Sequence, residues 1–281
     1  MKSRNQAASL NWLIIGIVVL ILLLIVVLIT CRHQRSIANN TNNKIDSSIT
    51  GQLQIPVVKS TDEIVQHTGY TLSYNEEHEQ ANWVAYVLTA DETNSANNPR
   101  TNKFLEDPLV TTKSASTIDY ENSGYDRGHL APAEDMAWSA TSEKESFYYS
   151  NMSPQVPAFN RGVWKRLEEL IRYWSTVYDS IYIVTGPVLK ENLPTIGPDK
   201  VSVPEYYYKV ILEYNSKGTK GIGFVLKNEA SAATLKSFAV SIDSVEHLTG
   251  IDFFPKLPDD QENKIEANPA IDQWKWTRKN N

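Results

Sequence analysis

The sequence predicts an α+β domain behind an N-terminal apolar segment, and three observations carry that expectation. Short runs of β-branched and aromatic residues bounded by turn residues read as strands at Trp83–Leu88, Ser180–Thr185, Tyr206–Tyr214 and Gly221–Lys227. Between Gly162 and Val177, apolar residues recur at 163, 164, 167, 170, 171 and 174, which is one face of a helix. Strands and helices interleave irregularly, which argues against a regularly alternating doubly wound sheet.

Taken in chain order, the first element is the run Trp12–Ile29, 18 residues without a charge. That length approaches the roughly 20 residues a helix needs to cross a bilayer's hydrocarbon core. Residues 1–35 are therefore expected to be a membrane anchor. Two other readings stay open: a removed secretory signal, although no A-x-A site follows, and a lipoprotein whose Cys31 carries lipid after cleavage in Leu28-Ile29-Thr30-Cys31. Lys2 and Arg4 on one side and Arg32 and Arg35 on the other leave the orientation undecided by charge. Residues 36–53 are rich in Asn, Ser and Thr, too polar to bury a core, and read as a linker. The folded domain is expected at 54–281, with shorter helices at Ala140–Tyr148 and Asp243–Thr249, each opened by a residue that can cap it.

Composition narrows the function. With 27 Lys and Arg against 33 Asp and Glu the net charge is −6, so the chain lacks the overall basic footprint of a tight nucleic-acid binder. Any contact with an anionic polymer must be local. A single cysteine forms no intramolecular disulfide, and the core must hold the fold. There is no glycine-rich phosphate loop and no Cys/His zinc spacing.

Of five histidines, His33, His67, His78 and His247 lie among ordinary polar residues, and the plain reading is that each is a surface or hydrogen-bonded side chain. His129 differs. In Tyr125-Asp126-Arg127-Gly128-His129-Leu130-Ala131-Pro132 a carboxylate, a guanidinium and an imidazole crowd around a glycine that permits close backbone approach. Alone, this run is equally readable as a turn. Downstream come Ser150-Asn151-Met152-Ser153-Pro154-Gln155, then Asn160-Arg161-Gly162-Val163-Trp164, then Glu168 and Arg172. At the helical 100° per residue, Glu168 lies about 80° and Arg172 about 120° from Asn160, which puts all three on one flank beside the apolar stripe. The plain alternatives are a Glu168–Arg172 surface ion pair worth ~0.3–0.5 kcal/mol, Asn160 as a helix N-cap, and Trp164 as core.

The order of these pieces, Asp-Arg-Gly-His, Ser-Asn-x-x-Pro-Gln, Asn-x-Gly-x-Trp and a Glu eight residues after that Asn, resembles the sugar-non-specific DNA/RNA endonucleases with a ββα-metal site, the family of endonuclease G. The resemblance runs from about Tyr70 to Pro258 and includes Trp83-Val84-Ala85-Tyr86 and Leu248–Phe254. It implies an antiparallel-rich central sheet flanked by helices, and it assigns roles. His129 is the general base, whose neutral imidazole can take a proton from water at neutral pH. Asn160 is the one direct protein ligand to a hydrated Mg²⁺, with Mn²⁺ as a substitute. Glu168 orients the metal's waters, Arg127 and Arg172 meet phosphate oxygens, Asn151 steadies the metal shell or His129, and Asp126 is structural. The family's further phosphate arginine corresponds to Arg100 or Lys103.

The expected function is hydrolysis of DNA and RNA with little sequence preference. Six Lys or Arg against eight Asp or Glu between Glu121 and Arg172 leave only a few phosphate contacts and no base-reading element. The rival from another class is a catalytically inactive surface module that binds nucleic acid through the same fold. A non-specific nuclease would attack the cell's own nucleic acid, so the domain is expected outside the cytoplasm. The N-terminus lacks the Arg-rich amphipathic pattern of a transit peptide.

Overall fold

A computed structural model of the chain describes residues 52–216 and 218–277. The apolar run at 12–29 and nearly all of the linker lie outside the described residues, among which no helix is long and apolar enough to cross a membrane.

The first three strands, β1 (Glu63–Gln66), β2 (Thr71–Asn75) and β3 (Gln80–Thr89), form an antiparallel meander. Two short helices follow, α1 (Ala90–Ser95), held by a Thr89/Glu92 capping box, and α2 (Thr117–Tyr120). Strand β4 (Asp126–His129) comes next, then α3 (Ala133–Met136), α4 (Ala140–Glu145) and strand β5 (Met152–Gln155), which returns to pair with β4. The long helix α5 (Lys165–Tyr178) leads into β6 (Ser180–Pro187), a small hairpin of β7 (Thr195–Ile196) and β8 (Val201–Ser202), and a long hairpin of β9 (Tyr206–Asn215) and β10 (Gly218–Lys227). The two-residue strand β11 (Ala239–Val240), then α6 (Ile242–Thr249) and α7 (Asp259–Glu266), complete the domain.

The main sheet has seven strands in the order β1-β2-β3-β6-β9-β10-β11, every neighbouring pair antiparallel. Side-chain alternation along β10 shows how its two faces are covered. Ile222 and Phe224 enter a core shared with Leu167, Ile171 and Trp174 of α5. Gly221 and Gly223 point the other way, where α6 and α7 lie so close that a Cβ on Gly221 would sit 2.5 Å from Ile242 Cδ1 and 2.7 Å from Ile265 Cγ2. Glycine there is a packing requirement. Strands β6 and β9, covered on both faces, are buried along nearly their whole length, which is why their sequences run apolar without clear alternation.

Each of the four expected strands is found, extended by one to four residues. The helices need correction. The one expected at Ala140–Tyr148 stops at Glu145, and Tyr149–Asn151 is instead a 3₁₀ turn entering β5. The one expected over Gly162–Val177 begins only at Lys165; Phe159–Trp164 is a π-helical turn in which Gly162 takes φ −111° and ψ −107°. The short strands β1, β2, β4 and β5 are not evident in the sequence because runs of four or five residues carry little periodicity. Their pairing is tertiary.

Trp174 anchors the end of the chain. It is fully buried, lies 4.3 Å from the Trp274 ring and 5.6 Å from the Trp276 ring, and donates its Nε1 hydrogen to the Lys275 carbonyl at 2.6 Å. Trp174→Ala is expected to lower stability by about 3–5 kcal/mol, read as a reduced denaturant midpoint with an unchanged slope.

Candidate active site

The two short motifs turn out to be two strands of one ribbon. Asp126 pairs with Gln155, Arg127 with Pro154, Gly128 with Ser153 and His129 with Met152. The glycine of Asp-Arg-Gly-His has a steric cause: a Cβ on Gly128 would lie 2.2 Å from Cδ of Gln155. Immediately beyond His129, Asn151 locks the chain. Its Oδ1 accepts from the Ala131 amide at 2.9 Å, its Nδ2 donates to the Ala131 carbonyl at 2.9 Å and the Ser146 carbonyl at 2.8 Å, and its own carbonyl accepts from the Leu130 amide at 3.0 Å. Asn151 is fully buried, and its amide is fully engaged by the backbone just beyond His129 and at Ser146.

His129 is 8 % exposed, edge-on to Phe147 at 4.9 Å and tilted against Phe104 at 6.0 Å. Burial, reinforced by the positive charge of Arg100, pulls its pKa down to about 3, so the imidazole is neutral across the physiological range. Its Nε2 is buried without a protein partner, and orphaned polar atoms of this kind are uncommon in folded proteins. Arg127 lies on the same side of the ribbon. Its guanidinium sits 5.0 Å from the Phe104 ring centre and donates from Nε to the Tyr149 hydroxyl at 2.9 Å, and no described carboxylate pairs with it. The two terminal nitrogens are left to act on something outside the chain.

Arg100 lies beside this pair. It rests on Phe147 at 5.0 Å, donates to Glu134 at 3.0 Å, and bears electrostatically on His129, so of Arg100 and Lys103 it is the one the structure brings to the imidazole.

Asn160 occupies the π-helical turn and donates from Nδ2 to Asp126 Oδ2 at 3.0 Å, while Arg161 grips the same carboxylate with two bonds at 2.8 and 2.6 Å. Asp126 thus fixes the rotation of the Asn160 amide, and no described group donates to its Oδ1. That oxygen is a hard, neutral donor, which suits a Mg²⁺ ion that keeps most of its waters. Glu168 accepts no hydrogen bond from any described side chain; burial raises its pKa, while Lys209 and Arg172 pull it back toward the charged carboxylate. A carboxylate short of donors is suited to taking hydrogen bonds from a metal's water shell. The residues present therefore fit the hydrated ion the resemblance implies.

Three sequence expectations change here. Asn160 does not cap the helix, because the π-helical turn has Ala158 at its cap position, and the angular argument across Gly162 fails with the helix register. Arg172 does not pair with Glu168: it donates to Asp135 at 2.7 Å, and Asp135 also accepts from the Tyr86 hydroxyl at 2.8 Å. Only the arginine's Nη1 is engaged there, and no described group accepts from its Nε or Nη2. Lys209 was missed. Fully buried in β9, it donates to the Leu130 carbonyl at 3.2 Å and to Thr185 Oγ1 at 3.1 Å beneath the Trp164 ring, so it backs the residue after His129. A lysine inside the apolar run Tyr206–Tyr214 was the available signal. His67 proves to be a buried partner of Asp107 at 2.8 Å, in keeping with its plain reading.

The chain is similar to known nucleases. Residues 50–260 match the model of the DNA/RNA non-specific endonuclease family. Nuclease C1 of Cunninghamella echinulata var. echinulata is 37% identical over 214 residues, 69% of this chain and 84% of that protein. Human mitochondrial endonuclease G is 32% identical over 202 residues, 67% of this chain and 68% of that protein. The crystal structure of an EndoG/EndoGI complex superposes with a TM-score of 0.68 at 30% identity, covering 78% of this chain and 96% of that one. The chain belongs to the DNA/RNA non-specific endonuclease family.

Proposed function

We propose that this endonuclease hydrolyses phosphodiester bonds of DNA and RNA with His129 as general base and Asn160 as the protein ligand of a hydrated Mg²⁺ ion, for which Mn²⁺ can substitute. The observation that carries the reading is the single face of the β4–β5 ribbon. A neutral imidazole and an arginine without a carboxylate partner sit there side by side against Phe104. His129 takes the proton of the attacking water as the water's oxygen bonds to phosphorus. Arg127 holds the non-bridging oxygens, where negative charge grows in the transition state. When bound, Mg²⁺ supplies the positive charge that offsets the negative charge on the departing 3′ oxygen. Arg172, held by Asp135 through Nη1, keeps its other donors for a phosphate oxygen and its charge beside Glu168. Backbone contacts of this kind carry no sequence information, so cleavage is expected to be indifferent to base order. An inactive binding module is the weaker reading, because binding alone gives no reason to bury an unpartnered histidine nitrogen beside an unpaired arginine.

We further propose that residues 12–29 tether the enzyme to a membrane with the domain outside the cytoplasm. An external nuclease recovered in soluble form with an N-terminus beyond Cys31 would show a removed signal instead, and lipid on Cys31 would show the lipoprotein.

The reaction is tested on plasmid DNA and on RNA with Mg²⁺, with and without chelator. His129→Ala is expected to cut turnover by about 10²–10⁴ while circular dichroism stays unchanged; a variant keeping a tenth of the activity would rule out the assignment. The acid limb of kcat/KM against pH should fall well below pH 6.5, because a base whose pKa is lowered by burial stays unprotonated to lower pH. Asp126→Ala should raise the Mg²⁺ concentration for half-maximal rate by about 10–100-fold through a loosened Asn160 amide. Asn160→Ala should bind the metal still more weakly in calorimetry.

A further inference from the structure

A second group of carboxylates stands on the face of the main sheet opposite α5. Helices α6 and α7 pack there on Gly221 and Gly223 through Ile242, Val245 and Ile265. Their acidic residues turn toward each other at the seam: Asp243 and Glu246 from α6, Glu266 from α7. One oxygen from each of the three lies within 4.8 Å of the others. Two oxygens on opposite sides of an ion at the usual Ca²⁺ distance are themselves about 4.8 Å apart, so the three can share one ion.

Glu266 makes this more than an acidic cluster. It is 6 % exposed and its Oε1 is buried without a partner, yet its carboxylate is one of the three that converge. It is the last residue of α7, where the helix dipole opposes a negative charge. No described lysine, arginine or histidine pairs with Asp243, Glu246 or Glu266. The charged groups bearing most on Glu266 are the carboxylates Glu246, Glu262, Asp243 and Asp252, which together with burial push it up to about 9. Something positive must settle there, either a proton or a cation.

We propose that Asp243, Glu246 and Glu266 form a binding site for a hard divalent cation of the Ca²⁺ class, separate from the phosphodiester-cleaving centre, that ties α7 to α6. Glu246 contributes only one carboxylate oxygen, since its Oε1 accepts from the Phe253 amide at 2.8 Å. Asp243 is exposed, so water completes the shell. The remaining flank carries Glu262, whose Oε1 is also buried without a partner and which adds negative charge nearby. The ion's structural effect is to hold α7 in place, and it needs no part in the reaction.

The test uses the full-length chain in detergent, with CaCl₂ as the probe, followed by calorimetry and by thermal unfolding. At a hundredfold excess over Kd, Ca²⁺ should raise Tm by about 5–10 °C. Asn160→Ala should keep this shift, which separates the site from the catalytic metal. Glu266→Gln and Asp243→Ala should each weaken Ca²⁺ binding at least about tenfold, since affinity in such sites follows ligand charge. Glu266→Gln should cleave DNA with Mg²⁺ as the wild type does. Absence of any shift in the wild type up to about 10 mM, beyond the weak range of extracellular calcium modules, would overturn the proposal and leave a protonated Glu266. So would a Kd for Ca²⁺ left unchanged by either substitution, or a shift that disappears in Asn160→Ala. Should Glu266→Gln fail to fold, Asp243→Ala, at an exposed position, decides.

Discussion

Everything at the active site depends on the fit of Gly128 against Gln155. A four-residue strand cannot hold itself, and β4 and β5 stay in register because the missing side chain at 128 makes room for the one at 155. That contact sets which residues face which way. Arg127 and His129 emerge on the side lined by Phe104, while Asp126 emerges on the other and reaches Asn160 and Arg161. A slip of one residue would exchange the two faces and separate the base from its arginine. Asn151 closes the arrangement by fixing the backbone just after His129, and Lys209 adds a second hold at the Leu130 carbonyl from beneath.

The roles of the arginines follow from what each is paired with. Arg161 and Arg172 are committed to Asp126 and Asp135, and Arg100 divides itself between Glu134 and the face of Phe147. Arg127 alone among these is held by aromatic rings and a hydroxyl, which orient the guanidinium without neutralising it. A protein of net charge −6 can therefore receive a polyanion at one point without a basic surface. The field there comes from a few oriented charges, and binding through them is expected to be sensitive to salt.

The sequence made the longer elements readable because their periodicity survives averaging: β3, β6, β9, β10 and α5 carry enough apolar residues to declare a face. The site motifs were readable as chemistry but not as structure. Asp126-Arg127-Gly128-His129 carries no alternating apolar pattern, and its strand exists only through its partner. Lys209 shows the same limit from the other side, since a lysine in an apolar run signals burial but not which carbonyl it will meet. The pairing of Arg172 with Asp135, 37 residues apart, was likewise invisible to helix arithmetic, which favours the neighbour at i−4.

The π-helical turn at Phe159–Trp164 explains why that arithmetic had to fail. A regular helix running through Gly162 would rotate each preceding residue by about 100° per position in a fixed frame. The Asn160 amide would then follow α5 and not Asp126. The wide turn and the unusual backbone of Gly162 uncouple the two, so Phe159 and Trp164 remain in the core while Asn160 turns to the ribbon. Such turns sit within helices most often at functional sites, because a helix under strain is tolerated where the placement of one side chain matters more than regularity. Here that side chain is the amide whose free oxygen fits a metal ion. The Asp126 carboxylate that orients it belongs to the strand carrying His129, so one ribbon sets the position of the base and the rotation of the metal ligand together.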